Sequence, residues 1–537
     1  MSSTTPPGEP EHLEFGSPSP PKPRRGLVAA IVAGVVLAVG LPLGAFAVLR
    51  LLGGGGTQPH DVLPANAVAN FRVDLDPAAE EKIDAIRYLR TFPAFEKYTR
   101  ITDDRVDLRR VVFDAIASGA PCILDYATDV EPWLGERLGV AVMAPATGDP
   151  QPRVAAAIQV SDEAQARAGL RKLSSCGGGD ALGWSYLDGY MVVSDSRQDA
   201  EHFRAAAQRR SLADTAQFRT DMERLGEPGV ASAWVSGDHL FQLWSRSVVG
   251  DPGPAGAEMD RLRAKSQEIV DETVRSAAMA FRFDPRYVEI ATVVTGSGYR
   301  APADGRTADM ALPESTAVAF GFAGGRRYVD KQWQLMSDLG AGGVPGSPEG
   351  APDRLAAKVE RQIGLRLPED LKTLVGDSFT LALDGDDVTL DALAGRGNPF
   401  ALDLGALVMT DIAAFNDVLA TVEEQAAGHG FPLDLAVRQT DDGAVAALND
   451  GYAARLAEGG TLADGEVFQT AVRDADQAQS VFFLSFDALE SAILRQLPPS
   501  GDSQELVENL TKLEALGVSG TDRDGYSEGA LRLIVGD

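Results

Sequence analysis

The chain has 537 residues, 44% of them hydrophobic and 24% charged, which is enough for two or three domains that each bury a core. Its 78 acidic residues outnumber 49 basic ones and give a net charge of −29. A surface this acidic repels phosphates, which excludes a nucleic-acid-binding protein. Five His and two Cys are too few for a zinc ribbon or an iron–sulfur protein, and we predict no metal site and no cofactor.

The amino-terminal region divides into a tail and an apolar segment. Residues 1–25 contain seven prolines among polar residues, so we predict a disordered cytoplasmic tail. Gly26–Leu49 carries no charge over 24 residues, which is long enough to cross a bilayer as a helix. We therefore predict a transmembrane helix over residues 26–52, followed by a flexible linker over residues 53–61.

The charges around the apolar segment predict its orientation. Lys22, Arg24 and Arg25 precede it, so the positive-inside rule places the amino terminus in the cytoplasm and the bulk of the chain outside the cell membrane. The alternative is a cleaved signal peptide, because Ala45-Phe46-Ala47 resembles a cleavage site. Both alternatives export the rest of the chain.

The exported part contains short sequence segments that recur later in the chain in the same order. They recur at separations of 249, 250, 249 and 237 residues, and the first two are Leu63-Pro64-Ala65 with Leu312-Pro313-Glu314, and Leu212-Ala213-Asp214 with Leu462-Ala463-Asp464. We predict a tandem duplication, with copy one at residues 62–300 and copy two at residues 301–537. Paired positions such as Phe71 with Phe320, and Phe218 with Phe468, should then be buried equivalently.

Within each copy, the hydrophobic periodicity changes repeatedly between strand and helix. In copy one it predicts strands at 67–75, 138–144 and 154–160, helices at 77–89 and 162–173, and a hairpin through Asp188-Gly189. Asn449-Asp450-Gly451 predicts a matching hairpin in copy two, and each copy ends in a further hairpin. The predicted fold class is α+β, with two tandem copies of a mostly antiparallel sheet faced by helices, preceded by one transmembrane helix.

Several motifs resemble the actinobacterial domain-of-unknown-function family 3352. They are Leu63-Pro64-Ala65, the segment from Phe71 to Pro77, Phe92-Pro93-Ala94-Phe95, and Asp129-Val130-Glu131-Pro132-Trp133-Leu134-Gly135. The similarity runs across most of the exported part. This resemblance implies a membrane-anchored envelope protein, and it supplies no catalytic residues.

Two motifs invite a catalytic or metal-binding interpretation. Asp129 and Glu131 beside Trp133 suit a sugar site, but they equally fit a short helix that Asp129 caps and from which Trp133 packs inward. The acidic stretches at 384–387 and 522–525 lack the ligand spacing of a calcium loop, and the second aligns with a hairpin turn. The sequence contains no nucleophile elbow, so we predict no catalytic residue.

The functional expectation is a single-pass, extracytoplasmic protein that binds or scaffolds an unknown envelope protein, polymer or lipid. Two alternatives remain open, a carrier of a lipid or other apolar ligand and a hydrolase of envelope polymers. A large apolar cavity favours the carrier, and converging carboxylates with shifted pKa values favour the hydrolase.

The first testable prediction concerns Cys122 and Cys176, the two cysteines of the chain. An even pair outside the cytoplasm favours a disulfide, the alternative being two separate buried thiols. Thiol labelling of the unfolded, unreduced protein from its native compartment should find no free cysteine. Two labelled cysteines would contradict the bridge.

Overall fold

The computed structural model of the chain describes residues 56–75, 79–95, 109–110, 113, 125–144, 152–176, 182–237, 274–296, 307–341, 351–385, 388, 402–428, 433–489 and 507–536. Within these ranges the strands are β1 (Ala67–Asp74), β2 (Leu134–Met143), β3 (Arg153–Val160), β4 (Gly183–Leu187), β5 (Tyr190–Ser194), β6 (Ala231–Ser236), β7 (Ser276–Phe283), β8 (Tyr287–Thr295), β9 (Thr316–Ala323), β10 (Ser378–Asp384), β11 (Leu404–Met409), β12 (Ala436–Gln439), β13 (Ala444–Ala447), β14 (Ser480–Ser485), β15 (Leu513–Arg523) and β16 (Tyr526–Val535). The helices are α1 (Ala79–Arg90), α2 (Tyr126–Asp129), α3 (Glu163–Cys176), α4 (Arg197–Arg209), α5 (Ala216–Leu225), α6 (Gly325–Ala341), α7 (Ala351–Ile363), α8 (Glu369–Val375), α9 (Ile412–Gly428), α10 (Asp450–Glu458) and α11 (Glu466–Ala471).

All sixteen strands belong to one sheet, in which every pair of neighbouring strands is antiparallel. The spatial order is β12-β13-β11-β10-β9-β14-β15-β16-β8-β7-β6-β1-β2-β3-β5-β4. The strands before residue 300 and those after it meet where β8 pairs with β16 along nine residues. Counted outward from this junction, the order is β8-β7-β6-β1-β2-β3-β5-β4 in the first half and β16-β15-β14-β9-β10-β11-β13-β12 in the second. The strands of the two halves therefore follow the same pattern.

The fold class predicted from the sequence is therefore wrong. It expected two tandem copies with a sheet each, whereas the β8–β16 ladder joins all strands into a single sheet. The predicted membrane segment at residues 26–52 lies outside the described residues, and within the described ranges no helix is long and apolar enough to cross a membrane.

Helices cover both faces of the sheet because most strands carry apolar residues on both sides. On the first face, α4 and α5 bury a core against β7 and β8, and α10 and α11 bury another against β14 and β15. On the second face, α1 packs on β1 and β7, α3 on β2 and β3, and α9 on β11 and β13. Successive side chains of a strand thus point alternately into apolar cores on the two faces.

Most local predictions for the first half match the structure. Asp188 and Gly189 have φ values of 46° and 87°, the left-handed conformations that the β4–β5 hairpin turn requires. Asn449-Asp450-Gly451 is not a hairpin, and this prediction was wrong. The Asn449 side chain instead accepts a hydrogen bond from the Tyr452 amide and caps α10.

The positions that the predicted duplication pairs differ in their burial. Phe218 and Phe468 are both buried, and each packs on an aromatic ring of a neighbouring strand, Trp234 at 5.6 Å and Phe483 at 5.1 Å. Phe320, by contrast, is 42% exposed, so the prediction that it is buried was wrong.

A buried ion cluster lies on the first face at the junction of the two halves. Glu289 of β8 is 3% exposed and receives Arg282 of β7 at 2.9 Å, Arg532 of β16 at 2.8 Å and Arg473 at 3.6 Å. Burial alone raises the pKa of Glu289, but the Arg532 hydrogen bond and the three arginine charges lower it below its ordinary value. Arg282 and Arg532 also donate to the carbonyls of Leu225 and Thr470, near the ends of α5 and α11.

Replacing Glu289 with Gln should destabilise the protein strongly, because three arginines lose the carboxylate that balances their charge. We expect a loss of about 3–5 kcal/mol in the free energy of unfolding, measured by urea denaturation. The exposed Arg286–Glu466 pair, at 2.8 Å, also joins the two halves and provides the control. Glu466→Gln should cost less than about 1 kcal/mol, and equal losses for both variants would contradict the role of the cluster.

The segment before β1 is fixed to the first face by polar contacts. The Thr57 carbonyl accepts hydrogen bonds from Tyr190 Oη at 2.8 Å and Arg137 at 3.3 Å, and the His60 ring lies 5.0 Å from the Phe218 ring. Burial lowers the pKa of His60 to about 4; the charge of Asp61 opposes this shift and that of Arg72 adds to it.

His60 should make the protein sensitive to acid. A neutral imidazole in the folded state stabilises fully above its ordinary pKa of 6.5, and this stabilisation is lost as the pH falls towards 4. His60→Phe should therefore flatten the decline in unfolding free energy between pH 7 and pH 4.5, by up to about 3 kcal/mol. His202→Phe on α4 serves as the control, and parallel declines in the wild type and His60→Phe would contradict this prediction.

Candidate apolar binding site

A continuous row of apolar side chains crosses the middle of the second face. Cross-strand pairing places its members directly opposite one another, on six successive strands from β10 to β8. We call this row the apolar band, and its residues are Leu381, Phe320, Phe482, Val518, Leu531 and Ile290. A parallel row of aliphatic residues lies beside it, formed by Leu383, Val318, Leu484, Leu516, Leu533 and Val288.

The apolar band is exposed although it lies in the middle of the sheet. Phe320 and Leu381 are 42% and 38% exposed, and the other four members are half-buried. Phe322 and Phe379 extend the surface beside Phe320, with ring centroids 5.6 Å apart. A contiguous, partly exposed apolar surface of this kind marks an interaction site.

Two glycines lie beside the band. Gly520 of β15 and Gly529 of β16 lie directly opposite each other on the second face. A Cβ at Gly520 would meet Ser480 Oγ at 2.4 Å, and one at Gly529 would meet Thr292 Oγ1 at 2.7 Å. Two hydroxyl groups therefore lie against the glycine pair, one at each end.

The chemistry of the band is uniform. Its six members carry no charge and no hydrogen-bonding group, while the charged residues Glu289 and Arg532 of the same strands point to the first face. Such a surface recognises apolar shape and offers nothing to the hydroxyl groups of a sugar polymer.

The predicted disulfide is not tested. Cys122 lies outside the described residues, and Cys176 is the last residue of α3. The part of the chain that the structure describes contains no disulfide, and the bridge between these two cysteines stays a prediction.

The Asp129 motif is structural. Trp133 is buried as predicted, 3% exposed, and donates its indole hydrogen to the Asp129 carbonyl at 2.6 Å. The helix cap is Asp125 and not Asp129, which corrects the sequence prediction. The Asp129 carboxylate instead contacts Lys172 at 2.5 Å, and the hydrogen bond from Lys172 lowers its pKa.

The acidic stretches are dispersed. Asp384 is buried and bonds to Ser315 and Arg455, and Asp386 and Asp387 lie outside the described residues. Residues 522–525 lie at the β15–β16 hairpin, as predicted: Asp522 and Arg523 end β15, and Asp524 and Gly525 form the turn. No group of three or more metal-ligating side chains occurs among the residues that the structure describes.

Sequence analysis missed the band, although a signal for it exists. The segment Val481-Phe482-Phe483-Leu484 is apolar on both faces of β14. The same holds for β8, which has Val288, Ile290 and Val294 on one face and Ala291 and Val293 on the other. Strands of this kind need cover on both sides. Which side stays open follows only from the positions of the helices.

The fold and the site together define an open-sheet protein with an apolar face, and comparison gives its family. Residues 27–533 match the family described as "Protein of unknown function (DUF3352)", so the chain belongs to this family. No curated protein matches the chain.

One solved structure shows a weak similarity. It is entitled "Structure of crystal form III of TP0453" and shares 7% identity, over 46% of this chain and 83% of that chain, with a TM-score of 0.21. We draw no argument about fold or function from a similarity this low.

Proposed function

We propose that this protein is a non-enzymatic binding protein whose apolar band holds the acyl chain of a lipid. The observation that carries the proposal is the unbroken, uncharged row from Leu381 to Ile290, which lies on the second face and is exposed or half-buried along its length. An acyl chain needs apolar contact without directional hydrogen bonds, and the band provides this kind of contact.

The length of the band suits this ligand. Six strands span five inter-strand spacings, or about 24 Å at about 4.8 Å each. A bilayer core of about 30 Å contains two acyl chains end to end, so one chain is about 15 Å long. A single chain therefore fits along the band.

The proposed location is the extracytoplasmic side of the cell envelope. The uncharged run Gly26–Leu49, with Lys22, Arg24 and Arg25 before it, supports export of everything that follows. A lipid-binding role suits this location, because an acyl chain that crosses the aqueous space between envelope layers must be shielded from water.

A carboxylate placed in the band should weaken acyl-chain binding. Phe320→Glu and Leu381→Glu both add a charge at an exposed sheet position, so the fold should tolerate them. We expect each to weaken binding of palmitate to the full-length protein by at least about tenfold, because the ligand must desolvate the new charge. Isothermal titration calorimetry measures this change.

Tyr186→Glu is the matched control. Tyr186 is 36% exposed on the edge strand β4, on the same face of the sheet but far from the band. This variant should bind palmitate like the wild type. The proposal is wrong if the wild type does not bind, or if Tyr186→Glu weakens binding as much as the two band variants do.

A further inference from the structure

A cleft separate from the apolar band lies on the first face, in the outer part of the half that contains β9–β16. It has a volume of about 740 Å³ and is formed by the start of β10, the end of β11, the turn between β12 and β13, and the end of α10. It shares no residue with the apolar band. Its acidic side chains are Asp309, Asp441, Asp442 and Glu458, and none of its sixteen lining residues is basic.

These carboxylates are not neutralised by neighbouring cations. Within the described residues, no ion pair involves any of the four, and Asp309 Oδ1 accepts one hydrogen bond, from the Ala311 amide at 3.1 Å. Elsewhere in the same half, acidic residues are paired, as Asp384 and Asp403 are with Arg455. The cleft therefore holds an uncompensated negative potential.

Ser378, which is one of the residues lining the cleft, has an unsatisfied hydroxyl. Ser378 is 4% exposed, and among the described residues nothing hydrogen-bonds to its Oγ. Its neighbour on the same face of β10, Thr380, donates to the Asp309 carbonyl at 2.7 Å. A buried polar group without a partner is costly, so a native one that lines a cleft points to a ligand that supplies the missing hydrogen bond.

The end of α10 adds to the preference for a cation. This helix ends at Glu458, and Leu456, Ala457 and Glu458 all line the cleft. The carboxyl end of a helix carries a partial negative charge, which stabilises a cation placed nearby. Leu407 and Met409 provide apolar contacts beside it.

We propose that this cleft binds an aliphatic organic cation with primary ammonium groups. The ammonium donates hydrogen bonds to Ser378 Oγ and to the carboxylates, and the methylene chain packs on Leu407 and Met409. A metal ion fits less well, since no three metal-ligating side chains converge among the described residues. The same chemistry comes from a free polyamine or from lysine side chains of a protein.

Calorimetric titration of the full-length protein with spermidine tests the site. We expect saturable binding with one site per chain that weakens as the salt concentration rises. The double variant Asp441→Asn/Asp442→Asn should weaken it by about tenfold or more, because two of the four carboxylates lose their charge. Tetramethylammonium, which has no N–H donor, should not compete with spermidine. A hexalysine peptide titrated in parallel shows which of the two sources the cleft prefers.

Ser378→Ala distinguishes a ligand contact from a structural role. Removing an unsatisfied hydroxyl should leave the melting temperature equal to or above that of the wild type, while spermidine binding becomes several-fold weaker. If Ser378→Ala instead unfolds the protein at a lower temperature, the hydroxyl supports the fold and the proposal is wrong.

The control for overall charge is Asp417→Asn/Glu424→Gln on α9. It removes the same charge from exposed positions outside the cleft. Spermidine affinity should then change by less than about twofold, since exposed charges more than a Debye length away are screened. An equal loss for both double variants would mean that the net charge of −29 attracts the cation and that the cleft does not bind it.

Discussion

The pairing of β8 with β16 joins the two halves into one sheet and thereby determines the architecture of the described residues. Each strand is the last of its half, and without the other each would present an unpaired edge about nine residues long. Long apolar edges promote aggregation, so the ladder protects both halves at once. Its register is also fixed, because a slip of β16 by one residue would turn Arg532 away from Glu289 and onto the apolar second face.

The same junction extends the proposed binding surface into the first half of the sheet. Leu531 and Ile290 face each other across the ladder, and with them the apolar band continues from one half of the sheet into the other. Neither half contains the whole row. The first face is closed at this point by the Glu289 cluster and by α5 and α11, whereas the second face carries no charge along the band. The first face of these strands thus stabilises the fold, and the second face forms the proposed binding surface.

Local structure was largely predictable from the sequence, and the assembly of the sheet was not. Alternating apolar residues predicted β1, β2 and β3, and Asp188-Gly189 predicted the β4–β5 turn, because these signals act over a few residues. The signal at Asn449-Asp450-Gly451 was ambiguous, since Asn serves equally as a turn residue and as a helix cap. Periodicity states that a strand has an apolar face but not which distant strand it pairs with.

The two candidate sites were hidden for the same reason. Phe320 was expected to be buried because it matches Phe71 in the predicted duplication, but the sequence does not show how the helices are distributed over the second face, where Phe320 is 42% exposed. Asp309, Ser378 and Asp441 come from separate parts of the chain and converge on one cleft. A site assembled from distant residues leaves no local motif.

The joined sheet is proposed to bind an acyl chain along the apolar band. Photo-crosslinking of the full-length protein with a diazirine-bearing fatty acid, followed by peptide mass spectrometry, tests this proposal. Labelled peptides are expected from both halves of the sheet, from β9, β14 or β16 and from β8, with label on the second-face residues. Label confined to first-face residues, or restricted to strands of one half, would contradict it.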